Sequence, residues 1–207
     1  MKICGNRSSG DILLAKGADY IGFVISTPRS PRSLEIRNAA PLFMEASQYA
    51  KTVAVVTDAD HAFLEDVSSA LEPDFIQLHL LLSPAEIASV VDSVPAGIIA
   101  LARPELSFAD TAREIASLTG MVIVDTFSGG EGGGTGIIHD WSVSRALREA
   151  IHPSRLMLSG GLNPGNVAEA IRTVVPAAVD VSSGVESGGL KSGELVDEFI
   201  GRVRRLA

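Results

Sequence analysis

The sequence predicts one parallel (β/α)8 barrel that spans residues 1–207. Eight short apolar runs rich in β-branched residues recur along the chain, with starts about 20 to 35 residues apart. This spacing leaves room for a helical crossover after each run. Helix signals fill the intervening segments, and no linker or block of like charge divides the chain. The pattern favours a single closed TIM barrel with few insertions, and a doubly wound open sheet is the alternative.

The eight runs predict strands that are buried on both faces. Each run is almost continuously hydrophobic, as parallel strands covered by helices are. In chain order the predicted strands are Lys2–Cys4, Tyr20–Ile25, Thr52–Thr57, Phe75–Leu80, Gly97–Ala102, Met121–Thr126, Arg155–Ser159 and Ala177–Ser182. Their even distribution over the chain is what a barrel of eight β-α units requires.

Helix starts can be recognised between the strands. Ser83 is an N-cap followed by proline, with Glu86 three residues after the cap, which is a capping-box signature. Asn163 also precedes a proline, and Ser107 precedes a segment with apolar residues at helical spacing. Asn38 is expected to cap the second helix. The last segment, GELVDEFIGRVRRL, has an apolar stripe and a basic end, typical of a surface helix.

The composition indicates which cellular compartment and which classes of partner to expect. The chain carries a net charge of −8, which disfavours a nucleic-acid partner. The single cysteine predicts a reducing, cytoplasmic compartment. No signal peptide and no apolar run long enough to cross a membrane are found. An anionic small molecule remains a suitable ligand where a few local donors oppose the overall charge.

In a barrel of this kind the active site lies where the strands end. The polar residues and glycines near these ends are Cys4, Asp58, Gln77, His79, Asp125, Ser159–Gly161, Asp180 and Ser182–Gly184. The glycine-rich segment 128–136 follows the sixth strand, and we expect it to form a mobile loop at the same face. The histidines share no metal-ligand spacing, so we expect no metal.

The loops after the last two strands suit phosphate binding. They read SGGLNPGN and DVSSGVES. Glycines let the backbone approach a ligand closely, and loop N–H groups at a helix start attract an anion. The loops after strands seven and eight commonly hold phosphate in this fold. We therefore expect Gly160, Gly161, Ser182, Ser183 and Gly184 to bind phosphate, with ordinary turns and helix caps as the alternative.

An ordered set of short motifs resembles the phosphoribosylanthranilate isomerases of tryptophan biosynthesis. Along the chain the motifs read KICG, GFV, SPR, QLH, VDT, GGTG with DW after it, SGGLNPGNV and DVSSGVE. The resemblance runs from Lys2 to Glu186. The sequence departs from the family pattern at three places, where it has Asn6-Arg7, Leu80–Leu82 and Ile137.

The resemblance implies an Amadori rearrangement. N-(5′-phosphoribosyl)anthranilate would become 1-(2-carboxyphenylamino)-1-deoxyribulose 5-phosphate by acid–base catalysis, with no metal or redox cofactor. The family's base matches Cys4, its acid matches Asp125, and Arg32 matches the arginine near the anthranilate carboxylate. Gln77 and His79 are expected to line the substrate site as hydrogen-bonding groups. A hydrogen-bonded pair in the barrel core is equally consistent with their positions.

The catalytic candidates also have structural explanations. A lone cysteine such as Cys4 is often a small core residue, and Asp125 suits a helix N-cap. Arg32 suits a surface loop, where Arg29 is its near neighbour. Lys2 shares one face of the first strand with Cys4, so its charge is expected to lower the pKa of the thiol.

Two other functions remain open at this point. One is a related isomerase of histidine synthesis, or a barrel that accepts both substrates. Such an enzyme is expected to carry an aspartate on its first strand, where this chain has Cys4. The other is a non-catalytic phosphate-binding barrel, which would have lost the acid or the base. The motifs are consistent with a monomer or a homodimer.

Overall fold

Eight parallel strands close into a ring in a computed structural model that describes residues 1–103, 105–125 and 140–206. The strands of the ring are β1 Lys2–Ile3, β2 Tyr20–Ile25, β4 Lys51–Val56, β5 Phe75–Leu78, β6 Gly97–Ala102, β7 Met121–Val124, β8 Arg155–Leu158 and β9 Ala178–Val181. β1 pairs with both β2 and β9, which closes the ring. The predicted (β/α)8 barrel is therefore confirmed.

Three short strands lie outside the ring. The strand β3, Ser33–Leu34, pairs with the end of β2. The strands β10 and β11, Glu186–Ser187 and Leu190–Lys191, form an antiparallel hairpin. The sequence prediction missed all three. They are two residues long, and so short a segment shows no hydrophobic period.

Helices follow the strands and cover the ring. The helices are α1 Ser9–Ala15, α2 Ile36–Ala46, α3 His61–Leu71, α4 Pro84–Ser93, α5 Ala109–Thr119, α6 Trp141–Ile151, α7 Val167–Val174 and α8 Gly193–Arg204. Two turns of 3-10 helix span Leu106–Phe108 and Ser183–Val185. The capping box at Ser83 and Glu86 is confirmed, because each residue's side chain accepts the other's backbone N–H. None of the described helices is long and apolar enough to cross a membrane.

Two predicted helix caps are wrong, and one predicted helix start is displaced. α2 begins two residues before Asn38, since the chain enters it directly from β3. Ser107 lies inside a 3-10 turn. Asn163 does not cap α7, because its side chain instead accepts the N–H of Gly165, and the Asn166 side chain accepts the N–H of Asn163. These bonds build a tight loop after β8, so the helix starts later.

The buried residues form two layers on either side of the strands. The larger core lies between the strands and the helices. A smaller cluster fills the barrel interior, and its members are Cys4, Val53, Val55, Ile99, Leu101, Met121, Ile123, Met157 and Ala178. Lys2, Gln77 and Asp180 are also buried. Side chains alternate in direction along each strand, so one set faces the helices and the other faces the barrel interior, where it reaches the site.

A polar clasp joins β4 and β5 at the amino end of the barrel, opposite the expected site. The carboxylate of Asp74 accepts the Thr52 N–H at 2.8 Å and the Lys51 ammonium at 2.7 Å, while the Asp74 N–H donates to the Thr52 hydroxyl. Burial opposes the negative charge, but the bonds from Lys51 and Thr52 lower the pKa of Asp74. The clasp is therefore strongest with the carboxylate ionised.

Asp74→Ala should lower the free energy of unfolding by about 1.5 to 3 kcal/mol at pH 7, because it removes hydrogen bonds to a charged group. The folded pKa is lowered, so this stabilisation is complete above the unfolded pKa of about 4 and is lost as the pH falls through the folded pKa. Urea unfolding over a pH series tests this. Asp197→Ala, at an exposed position on α8, is the control and should change stability by less than about 0.5 kcal/mol. A pH-independent effect of Asp74→Ala would contradict the ionic clasp.

Candidate active site

One pocket of about 230 Å³ opens at the carboxyl ends of the strands. Every predicted site residue lines it, namely Cys4, Arg32, Gln77, His79, Asp125, Gly160, Gly161, Ser182, Ser183 and Gly184. The barrel therefore brings together residues from six strand ends and their loops. Arg29 also lines the pocket, whereas Arg7 bonds the carbonyls of Pro31 and Gly189 away from it.

Six of the eight predicted strands extend one or two residues too far at these ends, whereas Tyr20–Ile25 and Gly97–Ala102 end as predicted. Cys4, His79 and Ser159 each lie one residue past the strand, yet each N–H still bonds the last carbonyl of the neighbouring strand at 2.8 Å. The side chains are thus held by barrel hydrogen bonds while facing the pocket. This placement makes them rigid without removing them from the ligand space.

Lys2 and Cys4 enter the barrel interior side by side, as their shared strand face predicts. The fully buried Lys2 ammonium lies 2.7 Å from the Gln77 carbonyl oxygen and 3.1 Å from Asp180 Oδ1, the latter an ion pair outside hydrogen-bond geometry. Its positive charge also acts on the Cys4 thiol. Gly22 on β2 makes room for both, because a Cβ there would lie 2.8 Å from Lys2 Cε and 3.0 Å from Cys4 Sγ.

The thiol is held mainly in its neutral form in this ligand-free site. Burial raises the pKa of Cys4, and the Asp180 charge adds to the rise, while Lys2 and Lys191 oppose it. The expected lowering by Lys2 is present but smaller than the effect of burial. The predicted lowering by Lys2 is therefore right in direction, but burial outweighs it and the pKa of Cys4 is raised.

His79 connects the pocket floor to Asp125. Its Nδ1 lies 3.2 Å from the Gln77 amide nitrogen, and its Nε2 lies 3.6 Å from Asp125 Oδ2. Burial lowers the pKa of His79, and the attraction of Asp125 opposes this only in part. The imidazole is therefore neutral near pH 7, with one ring nitrogen toward Gln77 and the other toward the carboxylate.

An ionic cluster at the pocket rim was missed by the sequence analysis. Glu186 accepts both arms of the Arg32 guanidinium at 2.8 and 2.7 Å and the Lys191 ammonium at 3.0 Å. Burial opposes its charge, but these cations lower the pKa of Glu186. Burial also lowers the pKa of Lys191, against the attraction of Glu186. The three side chains together carry one net positive charge.

The two loops expected to bind phosphate pack directly on each other. Gly160 and Gly161 have φ values of +90° and +64°, a region that favours glycine. A Cβ on Gly184 would lie 1.8 Å from the Leu162 carbonyl oxygen, so only glycine fits there. Ser159 donates to Asp180 at 3.2 Å, which joins the ends of β8 and β9. The glycine-rich segment 128–136 lies outside the described residues.

The pocket brings together groups that are suited to acid–base chemistry. No group of three or more potential metal ligands occurs among the residues that the structure describes. The thiol of Cys4 lies directly after β1, and the carboxyl group of Asp125 lies directly after β7. These two strands are separated in the ring by β8 and β9. A small ligand between them would meet one group on each side, with the cationic cluster and the glycine loops at its ends.

Comparisons with known proteins agree on one family. A family model described as N-(5′-phosphoribosyl)anthranilate (PRA) isomerase matches residues 1–202. The N-(5′-phosphoribosyl)anthranilate isomerase of Methanothrix thermoacetophila is 39% identical over 99% of this chain and 97% of that protein. The isomerase of Rhizobium meliloti is 36% identical over 99% of this chain and 97% of that protein.

Solved structures of the same kind share the fold. The phosphoribosylanthranilate isomerase of Thermotoga maritima is 30% identical, with a TM-score of 0.85 over 99% of this chain and 98% of that one. A second structure is described as phosphoribosylanthranilate isomerase in complex with reduced 1-(o-carboxyphenylamino)-1-deoxyribulose 5-phosphate. It is 29% identical, with a TM-score of 0.81 over 99% of this chain and 97% of that one.

Gly22→Ala should press a methyl group onto the buried Lys2 and Cys4 side chains, since its Cβ would lie within 3.0 Å of both. Overpacking of this kind costs about 1 to 3 kcal/mol of unfolding free energy. Gly10→Ala on α1 is the control, because its Cβ would make only an ordinary 3.5 Å contact and alanine favours helices. Urea unfolding of both variants tests the packing, and equal stabilities would contradict it.

Proposed function

The chain belongs to the N-(5′-phosphoribosyl)anthranilate isomerase family, and we propose that Cys4 is the general base and Asp125 the general acid of its reaction. The protein is an isomerase of tryptophan biosynthesis that converts N-(5′-phosphoribosyl)anthranilate to 1-(2-carboxyphenylamino)-1-deoxyribulose 5-phosphate. One observation carries the assignment of roles: the thiol and the carboxyl group line a single pocket together with both glycine loops.

In the first step Asp125 donates a proton to the furanose ring oxygen. The C1′–O bond breaks as the anthranilate nitrogen shares its lone pair, which gives an open-chain iminium ion. In the second step the Cys4 thiolate removes the C2′ proton, and the C–H electron pair forms a C1′–C2′ double bond while the nitrogen recovers its lone pair. Protonation at C1′ and loss of the O2′ proton complete the ketone, so the reaction is a redox-neutral isomerisation.

The charges around Cys4 support its role as base. The charges of Lys2, Lys191 and Arg32 all act on the sulfur. These cations favour the thiolate once the proton has left, although burial holds the thiol neutral at rest. The reactive form pairs a thiolate with a protonated Asp125, and only a fraction of the enzyme is in that form.

Arg32 is proposed to bind the anthranilate carboxylate. Its planar fork suits a bidentate carboxylate, and in the ligand-free site Glu186 occupies that fork with two hydrogen bonds. A substrate carboxylate therefore has to share or displace this partner. Lys191 remains beside Glu186, so Glu186 keeps a counter-ion when Arg32 turns to the ligand.

The substrate phosphate is proposed to lie between the two glycine loops. Gly160 and Gly161 present a left-handed backbone there, and Ser183 and Gly184 belong to a 3-10 turn packed against the first loop. Loop N–H groups in this arrangement form an anion site. Ser182 lines the same end of the pocket.

The remaining proposals concern the state of the protein in the cell. We propose that residues 1–207 fold as one domain that acts in the cytoplasm, as a monomer or a homodimer. One similar structure from Thermotoga maritima is described as generated monomers of a dimeric phosphoribosylanthranilate isomerase. All the proposed substrate contacts come from one chain, so turnover should not require a second copy.

Cys4→Ser and Asp125→Asn should each lower kcat/KM by about 10²- to 10⁴-fold, the usual worth of an acid–base group. Both variants should still bind a reduced product analogue, because the glycine loops are unchanged. Fluorescence of the anthranilate group reports turnover, and calorimetry reports binding. A Cys4→Ser enzyme with near-parental turnover at neutral pH would exclude the thiol as base.

The pH profile gives a second test of the same pair. The form with thiolate and ionised carboxylate is inactive, and it dominates once the pH passes the pKa of the thiol. The form with thiol and protonated carboxyl is inactive too, so the profile is bell-shaped and has an acid limb. Burial raises the pKa of the thiol, so kcat/KM should stay level through neutral pH before its alkaline limb begins. An alkaline limb that begins well below the ordinary thiol pKa of about 8.5 would contradict the assignment.

Arg32→Ala should weaken binding of the carboxylated product analogue by about 30- to 1000-fold, equivalent to about 2 to 4 kcal/mol for a desolvated charged contact. An analogue without the anthranilate carboxylate should lose far less. Arg29→Ala is the matched control, because Arg29 lines the same pocket and is not proposed to bind the carboxylate. Equal losses for the two analogues, or for the two arginine variants, would show that Arg32 does not recognise this group.

A further inference from the structure

A directed chain of polar contacts runs through the barrel interior from Lys2 to Asp125. The Lys2 ammonium lies 2.7 Å from Gln77 Oε1, the Gln77 Nε2 lies 3.2 Å from His79 Nδ1, and His79 Nε2 lies 3.6 Å from Asp125 Oδ2. Lys2 and Gln77 are almost entirely buried. Lys2 is absent from the pocket lining, so the chain begins behind the site and ends in it.

The chain has only one consistent direction. An ammonium group can donate hydrogen bonds but cannot accept them, so the Gln77 carbonyl oxygen must face Lys2. The Gln77 NH2 group then faces His79, and because this group also only donates, Nδ1 must be the acceptor. A neutral imidazole with an acceptor Nδ1 carries its proton on Nε2. That N–H is directed at the Asp125 carboxylate.

The charge states that this argument needs are supported independently. Burial opposes the positive charge of Lys2, but the attraction of Asp180 and Cys4 outweighs it and raises the pKa of the ammonium. Burial lowers the pKa of His79 against the attraction of Asp125. Lys2 is therefore charged and His79 neutral at neutral pH.

We propose that Lys2 is a positioning residue for Asp125 that acts through Gln77 and His79 by fixing the Nε2–H tautomer of the imidazole. The proposal rests on the role of Asp125 as general acid. With Nε2–H facing Oδ2, that oxygen is an acceptor and the transferable proton is carried on Oδ1. In the opposite tautomer Nε2 would accept the proton of the acid and hold it away from the substrate.

The distance to Asp125 is longer than a hydrogen bond, and the inference needs only the orientation of the ring. Catalytic contacts of this kind commonly shorten when a ligand binds. The other neighbours of Lys2 have separate roles. Asp180 neutralises the charge of the ammonium, and the electrostatic field of the ammonium acts on the Cys4 thiol. A test of the chain therefore has to change Gln77 as well as Lys2, so that the contact with Cys4 can be kept.

Nitrogen-15 NMR of the imidazole rings in the ligand-free enzyme tests the tautomer directly. In the parent, His79 should show a protonated Nε2 and an unprotonated Nδ1 at neutral pH. His61, which contacts Ser89, is the internal reference and should be the same in every variant. A protonated Nδ1 on His79 in the parent enzyme would overturn the proposal without any variant.

Two variants separate the links of the chain. In Gln77→Glu a carboxylate keeps the contact with Lys2 but must accept from His79, so Nδ1 should become protonated and kcat should fall about 10- to 100-fold. In Lys2→Met the amide is no longer oriented, so His79 should show a mixture of tautomers. A pure Nε2–H signal in Lys2→Met, or parental kcat in Gln77→Glu after tautomer reversal, would overturn the role of Lys2.

A failure of the proposed role of Lys2 can be distinguished from a failure of Asp125 as the general acid. The tautomer is read from the ligand-free enzyme by NMR, whereas the acid is tested by the turnover of Asp125→Asn. If Lys2→Met does not fold, the parent spectrum and the Gln77→Glu variant still decide the matter. Each link of the chain is therefore tested by a measurement that the other assignments do not influence.

Discussion

A fully buried ammonium group, that of Lys2, governs the arrangement of the active site. An isolated charge in a barrel interior would cost many kcal/mol, so the surrounding residues have to satisfy it. They come from three different strands: Asp180 on β9, Gln77 on β5 and Cys4 just after β1. Each partner that pairs with the charge is thereby held in a single orientation, and each orientation serves the pocket above it. Gly22 completes this arrangement because any side chain there would collide with the lysine.

A second ionic cluster repeats the same principle at the rim. Glu186 holds Arg32 and Lys191 in fixed positions before any ligand arrives. A free guanidinium would sample many rotamers and would lose that freedom on binding. Because Glu186 has already ordered the guanidinium, less rotamer freedom remains to be lost when a ligand carboxylate binds. The cluster carries one net positive charge, so it attracts the negative charge that the substrate carboxylate brings.

Much of this architecture can be predicted from local sequence, and the limits are physical. The strands were recognisable because buried parallel strands are continuously apolar, and Ser83 because its cap contacts lie within three residues. The contact between Arg32 and Glu186 joins residues 154 positions apart, and no local pattern encodes such a pair. The prediction of Asn163 as a helix cap failed although its contacts are local. Its side chain accepts a hydrogen bond from Gly165 within the loop, so the helix begins later. The glycines after β8 and β9 have a structural reason, since Gly160 and Gly161 adopt positive φ and a Cβ on Gly184 would collide with the Leu162 carbonyl.

Burial raises the pKa of Cys4 and so disfavours the thiolate that a base requires. The same burial strengthens the attraction between that thiolate and the cations around it. In a low-dielectric interior the attraction between Lys2 and a thiolate is far larger than in water. Lys2 cannot move toward or away from the sulfur, because Asp180 and Gln77 hold it, so no reorganisation is needed when charge appears there. Preorganised charge of this kind stabilises a transition state more than a ground state. The fixed cations around Cys4 therefore stabilise the transition state of proton transfer, in which negative charge shifts between sulfur and substrate. They stabilise it more than they stabilise the protonated thiol of the resting enzyme.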